Sequence, residues 1–181
     1  SSTLSSEVLE LKSNPIPALF TISYDSFITW TTKFSSYATL VRVLAYALRF
    51  FNNAKIKKAD RIVGPVTTEE FSHANTRCIH LLQQHFYSKR SERKTQDLFS
   101  SLNVFEDSHG LLRVGGRLML SDLPYPQRHP LLLPKETHFT FLLVQHLHRI
   151  NLHPGLQALH AFIQQKYWIP GAKFLIKAVK N

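Results

Sequence analysis

From Ser35 to Ala54, apolar residues return at helical spacing: Leu40, Val41, Leu44, Ala45, Leu48 and Phe51. Neither Gly nor Pro interrupts them, so one helical face is expected. Arg42 and Arg49 fall seven apart, on one side of it. Gly64-Pro65 then punctuates the chain. Thr67 followed by Glu70 matches a capping box, in which two side chains satisfy orphan backbone donors. Phe71, Ala74, Cys78, Leu82 and Phe86 continue as a single stripe, which predicts a second helix from about Thr68 to about Lys89. Cys78 sits on that stripe and reads as a small core residue.

The period changes after Ser91–Lys94. Leu98 to Phe105 is short and apolar, Asp107-Ser108-His109-Gly110 is a turn sequence, and Leu111 to Leu118 is apolar again. Two short runs around a Gly-containing turn predict a β-hairpin. Gly115-Gly116 inside the second run marks a bulge or a close backbone approach. Leu131-Leu132-Leu133, between Pro130 and Pro134, reads as a brief strand. The last third is helical once more. Thr137 caps a helix over Phe139 to about Ile150, and Pro154-Gly155 breaks it. Leu156 to Lys166 forms the next helix, and Pro170 starts a third with Phe174, Leu175, Ala178 and Val179. Residues from Ser1 to about Thr32, rich in Ser, Thr and Pro, read as a connector with little regular structure. The expected fold class is α+β, mainly helical: two connector helices, a short β segment and a three-helix unit. The expected segments are 1–60, a connector with one helix; 61–97, a helical connector; 98–135, the β segment; and 136–181, the three-helix unit.

Composition narrows what such a chain does. Its 181 residues carry 22 Lys and Arg against 12 Asp and Glu, a net charge of +10. A pI near 9.9 passes the screen for nucleic-acid binding. The charge is densest in Lys55–Arg61 and Lys89–Lys94 and gives affinity for phosphates without specifying a sequence. One cysteine excludes a disulfide framework within the chain. Neither a run long enough to span a membrane nor a secretory signal pattern occurs. The chain begins with Ser and is still helix-like at Asn181, so it reads as a piece of a longer polypeptide.

Three short helices in some forty residues have little core of their own, and such a unit usually needs a metal staple or neighbours. His146, His148 and His153 crowd the end of the first of them. His148 and His153 are separated by four residues, one on the last turn and one just past it, so their imidazoles can converge on one ion. Zinc accepts imidazole nitrogen and is closed tetrahedrally in structural sites. Two histidines are a weak signal by spacing alone, because ten in the chain give close pairs by chance. Solvated or core histidines are the plain alternative. His160 is a third candidate, whose helix phase points to the surface or a groove. No Gly-x-Ser-x-Gly elbow or comparable nucleophile setting occurs, which argues against a serine hydrolase.

The order of motifs adds a resemblance. His148–Gly155 (HRINLHPG), then Gln157-Ala158-Leu159, then Lys166–Gly171 (KYWIPG) resembles the zinc-binding region of retrotransposon integrases, most of all the Pao/BEL class. Gly110–Leu118 and His129–Pro134 resemble the segment that precedes that region. Arg42–Phe50 and Thr67–Phe71 resemble the connector between the ribonuclease H region and integrase. The resemblance covers roughly Ser35 to Asn181. It implies His148 and His153 as two zinc ligands, with His146 a less favourably phased competitor, and a Cys-x-x-Cys pair within a few residues beyond Asn181. It implies that Gly155 permits a sharp turn and that Tyr167 and Trp168 pack the small core. It further implies a non-catalytic part of a polyprotein, because the integrase catalytic core is not in this chain. Such a part supports DNA integration through zinc-stabilised assembly. The implied partners are the element's DNA ends and other integrase subunits or polyprotein segments, with no membrane, in the cytoplasm and nucleus. The residues that would touch DNA are not identified. A degenerate or domesticated metal-free interaction module is the alternative.

Overall fold

The computed structural model describes residues 24–88, 92–115 and 122–180. Its elements are α1 (Tyr24–Thr31), α2 (Tyr37–Lys55), a single 3-10 turn (Lys58–Asp60), α3 (Thr68–Tyr87), α4 (Arg93–Leu102), β1 (Val104–Glu106), β2 (Leu112–Val114), α5 (Tyr125–Arg128), β3 (Leu131–Leu132), α6 (His138–Ile150), α7 (Leu156–Gln164), β4 (Tyr167–Trp168) and α8 (Ala172–Lys180). The fold is α+β and mainly helical.

The two long helices lie where the apolar period puts them. α2 buries Leu40, Val41, Leu44 and Ala45, with Ser36 capping its first turn. α3 buries Ala74, Cys78, Ile79 and Leu82. Its capping box is complete: Glu70 N–H donates to Thr67 Oγ1, and Thr67 N–H donates to a Glu70 carboxylate oxygen at 2.9 Å. Cys78 is fully buried, and desolvation pushes its thiol well above the ordinary range. It is a core residue, as expected.

A small sheet runs in the order β1-β2-β3-β4. β1 and β2 form the hairpin, antiparallel, with Val104 opposite Val114. Its turn is made by Asp107, whose carboxylate accepts from the His109 and Leu111 amides, and by Gly110 at φ +75°. Gly115 is a close approach, because a Cβ there would lie 2.8 Å from the Asn103 carbonyl oxygen. Gly116 and Leu118 lie outside the described residues. Between β2 and β3 the α3 side chain Gln83 takes the place of a ladder partner. Its amide donates to the Leu112 and Leu132 carbonyls, and its oxygen accepts from Leu112 N–H, all at 2.8 Å. A buried amide with both ends satisfied locks helix to sheet, whereas an unsatisfied one there is costly.

Three expectations need correction. The run from Leu98 to Phe105 is not one strand: Leu98, Phe99 and Leu102 belong to α4, and the strand begins only at Val104. Asn103 separates them in a left-handed conformation, φ +46°, which ends the helix. Within the stretch read as an irregular connector, residues 24–31 form α1, whose Phe27 is buried in the core; residues 1–23 lie outside the described residues. The final unit is not helical throughout. Tyr167 and Trp168 form β4, parallel to β3, with Leu131 opposite Tyr167.

The main core is continuous from α1 to α8. Leu40, Leu82, Phe139, Leu143, Leu159, Ile163 and Ile176 are all fully or nearly fully buried within it. A second cluster, Tyr87, Leu112, Val114 and Leu132, is covered by Leu98, Phe99, Leu102 and one side of Trp168.

Candidate metal centre

His148 and His153 meet at the end of α6 because of how that helix stops. Leu152 N–H donates to Arg149 O at 3.1 Å, and His153 N–H donates to His148 O at 2.9 Å. These two bonds make a Schellman motif, which closes a helix through a left-handed residue and sets its outermost residue beside the helix's third-last. Those two positions are His153 and His148. The motif that ordinarily makes an apolar contact there instead brings two imidazoles together.

Their rings lie 4.7 Å apart at 79°. Nδ1 of His153 and Nε2 of His148 are 3.0 Å apart and share a hydrogen bond. Two nitrogens on one tetrahedral zinc stand about 3.3 Å apart, given zinc–nitrogen bonds of about 2.0–2.1 Å. The pair therefore matches two corners of such a site after opening by a few tenths of an ångström, with its proton moved to an outer nitrogen. His153 is exposed and His148 half-buried, so an ion reaches them from solvent. Among the described residues no third His, Cys, Asp or Glu joins them in a metal-binding group.

The turn carries backbone strain. Leu152 and His153 both have φ +57°, and neither is glycine. A left-handed residue bearing a Cβ costs roughly 1–2 kcal/mol. Gly155 does not supply the sharp turn expected of it. Its backbone is ordinary, φ −60° and ψ 165°, and it serves as the N-cap of α7 without a side-chain bond.

The other histidines separate from the pair. His146 lies against Tyr37 of α2, with ring centroids 5.0 Å apart. Burial, then the positive charge of Arg149, lowers its pKa. Its ring packs against α2. His160 is half-buried and faces a groove formed with Trp168 and Phe174. Tyr167 is buried, as a packing role requires, and Trp168 is half-buried; both border that groove.

Basic side chains divide the same way. Arg49 is buried and held by Glu70, by Gly64 O at 2.5 Å and by Pro65 O at 2.8 Å. Arg113 pairs with Asp107 and donates to His129 O at 2.8 Å. Neither is available to a phosphate. Arg42, Lys55, Lys57, Lys58 and Arg61 on and after α2 are exposed, as are Lys166, Lys173 and Lys177 near the C-terminal groove. Among the described residues no helix is long and apolar enough to cross a membrane.

Comparison with known proteins gives no match to a family model, a curated protein or a solved structure.

Proposed function

We propose that this chain is a non-catalytic segment of a Pao/BEL-type retrotransposon polyprotein. It comprises the connector and the histidine half of the integrase zinc-binding region. Its task in this reading is to support DNA integration by zinc-stabilised assembly and by contacts to the DNA backbone. The observation that carries the reading is the Schellman cap that sets His148 Nε2 and His153 Nδ1 at 3.0 Å. Two thiolates from beyond Asn181 would complete four ligands. Bound there, zinc would act structurally, tying the end of α6 to the following turn, and its binding energy would add to folding energy. Exposed lysines and arginines supply the affinity for DNA ends, and the nucleus is where that role is exercised.

A metal-free protein-interaction module is the second reading, favoured by a different observation. α6, α7 and α8 already share a closed apolar core through Phe139, Leu143, Leu159, Ile163 and Ile176. The outer side of α2 and the linker after it also expose Val43, Tyr46, Phe50 and Val63, a surface suited to a protein partner. Zinc content of the polypeptide extended past Asn181 separates the two. The zinc reading expects one ion per chain, and the metal-free reading expects none. Duplex-end affinity that falls steeply between about 50 and 200 mM salt supports the DNA role. Salt-independent or absent binding removes it.

A further inference from the structure

A groove of about 280 Å³ lies between the end of α7, β4 and the start of α8. His160, Gln164, Trp168, Pro170, Lys173 and Phe174 border it. It falls just below the size of drug-binding pockets and suits a compact planar group. Phe174 is its most unusual wall. The ring is 78% exposed, although Ala172 and Ile176 on the same helix are buried in the core. An aromatic ring left open beside a half-buried tryptophan offers a stacking platform.

The rim is basic. Lys173 borders the groove, and Lys135 Nζ lies 3.6 Å from where a Cβ on Gly171 would stand. The Lys166 ammonium sits 5.7 Å from the centre of the Tyr167 ring. Among the described residues neither Asp nor Glu lines the groove. His160 and Gln164 add hydrogen-bonding groups beside the aromatic walls, and a glutamine amide both donates and accepts.

We propose that this groove takes an unpaired nucleotide of a single-stranded nucleic acid. Its base stacks on Phe174 and Trp168, its edge meets His160 and Gln164, and its flanking phosphates meet Lys135, Lys166 and Lys173. Stacking on aromatic walls inside a positive groove is how single strands are bound without sequence preference. A duplex exposes a base face only at its two ends, and there it is paired, so its edge is not free for His160 and Gln164. A second copy of this chain would bring another +10 charge against a basic rim, which disfavours self-association. The proposal rests on the nucleic-acid role given above and assigns it a place.

The test uses the intact chain with a short labelled oligothymidylate and a duplex of equal length, by anisotropy and tryptophan emission. Trp168 and Trp30 are the two tryptophans. Oligothymidylate should quench emission, and Trp168→Phe should remove the quenching. Phe174→Ala, at an exposed position, should weaken oligothymidylate roughly five- to a hundredfold, as loss of a stacked base does. Duplex binding through phosphates should change less than about twofold in the same variant. Lys173→Gln should weaken the single strand and flatten its salt dependence. Binding of duplex alone, or an equal effect of Phe174→Ala on both ligands, overturns the groove assignment and leaves the DNA role standing. Displacement by polyglutamate at equal charge concentration overturns it as well, since charge alone would then explain binding. Binding of neither nucleic acid overturns both.

Discussion

Arg49 holds the linker between α2 and α3 with charge, while backbone bonds and two imidazoles hold the turn between α6 and α7. In the linker, one guanidinium reaches Glu70 and the carbonyls of Gly64 and Pro65, and the Asn53 side chain exchanges two hydrogen bonds with the Ile62 backbone. Gln83 completes a similar node against the sheet. Each of these groups has its partners inside the chain. In the turn, two non-glycine residues stand in left-handed conformations, and two imidazole nitrogens face each other. The first region is complete as a structural clamp. The second retains strain at a surface turn, where the proposed zinc would replace the hydrogen bond between its two imidazoles.

Substitutions graded by expected effect can break that contrast. Gln83→Leu should have the largest effect, about 3 kcal/mol in urea denaturation, because it leaves a buried amide and two carbonyls unpaired. A loss under about 1 kcal/mol would mean that the helix–sheet node is replaceable. Arg49→Ala should lower the thermal midpoint by a smaller margin and free the Gly64–Pro65 linker, seen as faster amide exchange there. Its ion pair also sets an acid limit. The Arg49 guanidinium, followed by the Thr67 amide, holds Glu70 at about 2, below its ordinary 4.5. A carboxylate with a depressed folded pKa contributes stability above its unfolded value and loses it as pH falls through the folded one. The pair's contribution should therefore be complete above pH 4.5 and disappear towards pH 2. A Glu70→Gln variant should lack this part of the acid dependence.

Smaller effects probe the turn. Leu152→Gly should stabilise the chain by about 0.5–1 kcal/mol, since glycine takes φ +57° freely but loses more entropy on folding. A destabilised variant would show that the turn is not strained. Gly155→Ser should gain a few tenths of a kcal/mol by capping α7, a result that a conformational need for glycine at that position would forbid.

The two regions also differ in how readily the sequence discloses them. α2 and α3 repeat their apolar positions over five turns, and Thr67 and Glu70 mark a start that depends on local chemistry alone. The boundary between α4 and β1 was hidden because Leu98, Phe99 and Leu102 adjoin Val104 and Phe105 in one apolar run. Only the left-handed Asn103 divides them. β4 is two residues long, and its partner Leu131 lies far away in sequence, so no local period announces it. Gln83 gives no signal either, because its role depends on two carbonyls brought near by the sheet. The spacing of His148 and His153 was legible, and the Schellman geometry supplies its physical cause. Leu152 at the left-handed position concealed that motif, which glycine would have advertised. No local signal marks the groove at Phe174, because Phe174 continues the apolar pattern of α8 yet lies outside the core.

The pairing of His148 with His153 as zinc ligands is tested most directly by calorimetric zinc titration of the polypeptide extended past Asn181. Wild type and His160→Ala should each bind one zinc per chain with equal affinity. His148→Ala and His153→Ala should each lose at least about tenfold in affinity, as befits removal of a ligand from a four-ligand site. Absence of zinc binding in the wild type, or unchanged affinity in either ligand variant, would contradict the account.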